Sequence, residues 1–153
     1  MEADVEDSWH AITHGAGLDE VLASASLDGR NLSAWARDCL AASGVPRNEA
    51  IHRSRLNQTF AYQILAGTRH ASRDKLLQLA FGMRLDIRDA SELLERGGAC
   101  RLRPDNRRDL IVAYALHHGV GIEQCDDLLW AHGERTIMPG RSRGNHRPQD
   151  RSQ

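Results

Sequence analysis

Gln58, Thr59, Tyr62 and Gln63 fall at helical spacing in the segment NQTFAYQILAGTRHASRDK, which runs from Asn57 to Lys75. A glutamine carboxamide holds a donor and an acceptor side by side, the pattern that matches N6 and N7 of adenine in the major groove. A threonine can contact base edges or the thymine methyl. Asn57 stands at the N-terminal tip of the same helix, where free N–H groups and positive partial charge favour a phosphate. Thr68, Arg69, Arg73 and Lys75 follow the helix, and side chains of these types anchor nucleic-acid backbones without specifying sequence. The chemistry implied is reading of duplex DNA: base contacts from Gln58, Thr59, Tyr62 and Gln63, and phosphate contacts from Asn57, Thr68, Arg69, Arg73 and Lys75.

Two of these residues admit another role. Tyr62 lies either on the DNA side or against an edge of the core. Arg73, followed by Asp74, is either a phosphate anchor or part of an internal ion pair at a helix start, a pattern repeated in Arg107-Arg108-Asp109.

Such a reading head must be held by a helix behind it. Pro46 to Ser54 supplies a short one, with Pro46 at a favourable first-turn position, Glu49 complementing the N-terminal dipole, and Ala50 and Ile51 facing inward. Leu56 just after the turn and Ile64 late in the second helix give the buried contacts that a helix-turn-helix from about Pro46 to Gly67 requires. Around this pair, periodicity predicts helices at Leu32–Ala42 (Trp35, Ala36 and Leu40 inward), Ser72–Leu85 (a Leu76, Leu77, Leu79 stripe), Asp86 to the Gly97-Gly98 stop, Asp105–His118 and Ile122–His132. No β-sheet is expected, because β-branched runs and hairpin turns are absent.

The segment resembles the lambda-repressor-like, Xre-type helix-turn-helix family. Ile64, Gly67, Thr68-Arg69 and Ala71-Ser72 carry the likeness. It implies an all-α fold, a five-helix helix-turn-helix domain at 31–98, and base contact by Gln58 and Gln63. The stretch Ser54–Glu134 is similar to a bacterial subgroup with an added C-terminal helical pair, on Ser54-Arg55-Leu56-Asn57, Tyr62-Gln63-Ile64, Ser72-Arg73-Asp74-Lys75, Asn106-Arg107-Arg108-Asp109 and Leu128-Leu129. That likeness implies a transcription regulator, with a serine/threonine kinase as an alternative protein partner. Two positions depart from the family. Arg55 replaces the usual turn glycine, which costs about 1 kcal/mol or more if the backbone there is left-handed, and Ala71 replaces a proline.

Charge is uneven along the 153 residues. Residues 1–30 carry one basic and seven acidic side chains, 46–103 carry eleven basic and six acidic, and the net charge is only −1. An overall pI of about 6.7 hides this basic centre, which suits a protein that meets phosphates with one face. The four regions expected are an acidic segment at 1–30 with one short helix over Leu18–Leu27, the domain at 31–98, a helical pair at 99–137 that either covers the core or joins two copies, and a basic disordered tail at 138–153. Trp130 belongs either to the core or to a dimer contact.

No stretch has the character of a signal peptide or a membrane span, so a cytoplasmic location is expected. Cys39, Cys100 and Cys125 lack C-x-x-C spacing and are expected to be free thiols. His117-His118 and the Cys125–His132 pair lack the four-ligand set of structural zinc, and the acidic pairs Asp126-Asp127 and Glu92-Glu95 have no accompanying nucleophile or phosphate loop. Neither metal, cofactor nor enzymatic activity is expected. The function expected is a DNA-binding regulator acting as a homodimer. The alternative is a protein-interaction module on the same fold, docking a kinase or a toxin.

Overall fold

The computed structural model describes residues 2–25 and 27–139, and within them only helices and loops occur. The basic tail expected at 138–153 lies, from residue 140 onward, outside the described residues. The chain divides into two compact units with the boundary between Arg30 and Asn31. Among the described residues no helix is long and apolar enough to cross a membrane.

The first unit is a helical hairpin of α1 (Glu2–Thr13) and α2 (Leu18–Ser24), turned at Gly15 with φ 95°. α1 was not anticipated: its acidic residues break any clear apolar stripe. α2 is shorter than the expected Leu18–Leu27, ending where Ala25 turns extended. Only Val21 of its apolar face is buried, while Leu18 and Leu22 are exposed.

The second unit begins with α3 (Leu32–Ser43), capped by Asn31, whose side chain accepts from the Ala34 N–H at 2.9 Å. It continues through α4 (Arg47–Ser54), α5 (Gln58–Ala66), α6 (Arg73–Gly82), α7 (Ile87–Arg96), α8 (Arg107–His117) and α9 (Ile122–Ala131). Asn57, Ser72, Asp86 and Asn106 cap α5, α6, α7 and α8 with side-chain oxygens, so each start is fixed by a residue that satisfies an otherwise orphan N–H.

α6 is the central helix. Every residue from Leu76 to Gly82 is buried, because α4, α7 and α9 all pack on it. The α4 contact is the tightest: a Cβ at Gly82 would lie 2.1 Å from the Ala50 carbonyl oxygen and 2.9 Å from Ser54. Glycine there lets two backbones meet. Gln78 crosses the same junction and donates to the Ser54 carbonyl at 3.0 Å, while the Ser54 hydroxyl donates to Ile51 O and accepts from Leu56 N–H. The end of α4 is thereby satisfied from inside the core.

α6 stops at Gly82, three residues before the expected Leu85, because Arg84 adopts φ 60° and closes a Schellman end, with Leu85 N–H donating to Ala80 O and Arg84 N–H to Phe81 O. α8 and α9 add Val112, Ala115, Ile122, Cys125 and Leu129 to the same apolar core as Trp35, Ile64 and Leu77. They therefore cover the core. Ile137 is buried in it as well, tied by Asp126, which accepts from the Ile137 and Met138 N–H groups at 2.6 and 3.0 Å, so the packed chain extends to Met138.

Candidate nucleic-acid interface

α4 and α5 are joined by three residues, Arg55, Leu56 and Asn57. Arg55 ends α4 with φ 64° and ψ 16°, the left-handed geometry that its place in the turn demands, at a cost of about 1–2 kcal/mol relative to an unstrained residue. Its guanidinium reaches Glu123 at the start of α9, at 2.6 Å. Both groups are exposed, so this pair offsets little of the strain. Leu56 turns inward and is buried; Ala71, where a proline was looked for, is buried too.

α5 is fixed by Ala61, Ile64 and Leu65, all buried. That leaves Asn57, Gln58 and Thr59 exposed on its first turn. The Asn57 carboxamide oxygen accepts from the Phe60 N–H at 3.0 Å, so Asn57 acts as the cap of α5 and keeps its NH₂ group for another partner. Tyr62 is half-buried and packs on the core, matching the second of its two sequence-based roles.

Gln63 is tied to its neighbours. Its carboxamide oxygen accepts from Arg69 at 3.1 Å, and its carbonyl accepts from the Thr68 hydroxyl at 3.3 Å. The Arg69 guanidinium also lies over the Phe60 ring, 5.1 Å from its centroid, close enough for a cation–π attraction. Half-buried Gln63 and exposed Thr68 and Arg69 thus form one cluster at the C-terminal end of α5, from which the Arg69 guanidinium reaches back to Phe60. Lys75 is half-buried on the first turn of α6, where its N–H donates to the Ser72 cap.

Arg73 differs from the phosphate-facing role considered for it. It makes a two-pronged pair with Asp109, at 3.0 and 2.9 Å, and donates further to the Cys100 and Arg101 carbonyls. The internal ion pair therefore describes it, but the partner is Asp109 on α8 and not the adjacent Asp74. Asp74 instead takes Arg108, at 3.0 and 3.3 Å. The two helix starts exchange an arginine and an aspartate in each direction. Arg108 completes its shell on the Arg135 and Thr136 carbonyls, holding the segment after α9 in place. The repeated Arg-Asp signature was visible in the sequence; the crossover was not, since adjacent residues are the more obvious pair until two helices are known to meet end to end.

The three cysteines form no disulfide. Burial, aided by the neighbouring Asp126, pushes the Cys125 thiol up to about 12. Among the described residues no cluster of His, Cys, Asp or Glu could hold a metal ion. Compared with family models, curated proteins and solved structures, the chain has no significant match in any of the three.

Proposed function

We propose that this protein is a sequence-specific DNA-binding regulator of the lambda-repressor-like, Xre-type helix-turn-helix class, with α5 entering the major groove. One observation carries the reading: α5 buries Ala61, Ile64 and Leu65 while exposing Gln58 and Thr59 on its first turn, with the cluster of Gln63, Thr68 and Arg69 at its C-terminal end. Recognition helices reach bases with their N-terminal residues. Gln58, Thr59 and Gln63 read base edges, Asn57, Thr68, Arg69 and Lys75 hold phosphates, and Arg73 acts inside the fold. Leu110 and Tyr114, 51% and 59% exposed one turn apart on α8, support that helix as the surface that pairs two copies. A two-fold dimer sets its reading helices about 34 Å apart, one DNA turn.

The test is fluorescence anisotropy of the full chain on mixed-sequence duplex DNA across a salt series. Binding should weaken steeply with salt, and Arg69→Ala should reduce the log–log salt slope by about 1. Gln58→Ala should leave this nonspecific binding nearly intact and cost about 1–3 kcal/mol only on a selected operator.

The acidic first unit favours a second reading, docking of a protein such as a serine/threonine kinase. Trp9, Ile12, Leu18 and Leu22 are exposed there, and apolar groups rimmed by charge mark interaction surfaces. Absence of DNA binding at low salt, with a protein complex lost on removal of residues 1–30, would select it.

A further inference from the structure

Eight described residues have the left-handed backbone that favours glycine, and six of them are glycines. The other two are Arg55 and Arg84. Arg84 occupies the same position in its Schellman end that Gly67, Gly98, Gly119 and Gly133 occupy in theirs. Among the described residues glycine takes this geometry at every other place, yet arginine keeps it at two, and both line one cleft. Strained residues of this kind concentrate where a side chain is needed for binding.

The cleft has a volume of about 410 Å³, within the range of small-molecule sites, about 300–1,000 Å³. Phe81, Leu85, Leu116, Val120 and Ile122 give it an apolar wall, and His52, Arg53, Arg55, Arg84 and Glu123 its polar rim. Arg53 is paired with Glu49 and Arg55 with Glu123. Arg84 has no ion-pair partner among the described residues, and its side chain is exposed. Glu123 shows which head group the rim accepts, since its carboxylate already sits 2.6 Å from Arg55.

We infer that this cleft binds a small organic acid, one carboxylate on an apolar body, with the carboxylate on Arg84 and the body against Phe81, Leu85, Leu116 and Ile122. Arg55 is the second cation and is released to the ligand when Glu123 yields. The site is separate from the exposed face of α5 and stands whether or not that face meets DNA.

Octanoate and 1-octanol are the probes, titrated into the full ¹⁵N-labelled chain and followed by amide shifts. Octanoate should give saturable shifts at Leu116, Gly119, Gly121 and Ile122, with an affinity at least tenfold above that of octanol. Arg84→Gly removes the guanidinium while accepting the backbone, so the fold is kept; it should weaken octanoate at least fivefold and leave octanol unchanged. Glu123→Gln frees Arg55 and should tighten octanoate. Equal binding of acid and alcohol, shifts confined to other residues, or an unchanged octanoate affinity in Arg84→Gly would each overturn the assignment.

Discussion

Replacing Asp109 by alanine tests whether the crossed arginine–aspartate pairs hold α8 to α6. Its carboxylate accepts two bonds from Arg73 and one from the Arg103 N–H, and its side chain is 5% exposed against 27% for Arg73. Removing one partner of a buried pair costs about 3–5 kcal/mol, because the other charge is left uncompensated. Here Arg73 keeps the Cys100 and Arg101 carbonyls and its partial exposure admits water, so the lower end, about 3 kcal/mol, applies. With a urea m-value of about 2 kcal/mol/M, the unfolding midpoint should fall by roughly 1.5 M with the slope unchanged. Arg73→Ala should also destabilise, and the double variant should lose less than the sum of the two by about 1 kcal/mol or more, as contacting residues do. A loss below about 1 kcal/mol for Asp109→Ala, or strict additivity, would refute the argument and return Arg73 to the set of candidate phosphate contacts.

Gly82→Ala should cost at least about 1–3 kcal/mol by thermal or urea unfolding, since its methyl would meet the Ala50 carbonyl oxygen, which is backbone and cannot swing aside; a neutral result would mean that α4 and α6 are farther apart. Cys100 is exposed and Cys125 buried, so a thiol reagent at pH 8 should label Cys100 rapidly and Cys125 only on unfolding, as read by mass spectrometry. The raised Cys125 value also has a stability consequence. The fold favours the neutral thiol, so its contribution is complete below the ordinary thiol value and is lost as pH rises from about 9 toward 12. Cys125→Ala should flatten the alkaline decline in stability, and an identical slope in both proteins would contradict it.

Local rules determined much of this molecule from sequence. The caps Asn57, Ser72 and Asp86, and the glycine stops at Gly44 and Gly67, mark helix ends because each satisfies or permits a backbone geometry that neighbouring residues alone define. The inward face of α3, with Trp35, Ala36 and Leu40, was legible for the same reason, since a 3.6-residue period assigns sides without knowing the partner; α6, buried all round from Leu76 to Gly82, has no single inward face to read. The cost of Arg55 was signalled only by the family resemblance, which places a glycine at that turn, and its left-handed backbone meets the condition set there.

Tertiary structure alone decided which charges meet. Arg73 could not be matched to Asp109, 36 residues away, until α6 and α8 were set start to start, and Arg55 could not be matched to Glu123 before α9 lay beside the turn. Nothing local marked Gly82 as the point where α4 crosses α6, and Arg84 gave no local sign that it would take a glycine's place. Periodicity and capping are properties of a few successive residues; a salt bridge, a backbone crossing and a cleft are properties of packing, and packing joins residues whose separation along the chain carries no information about their distance.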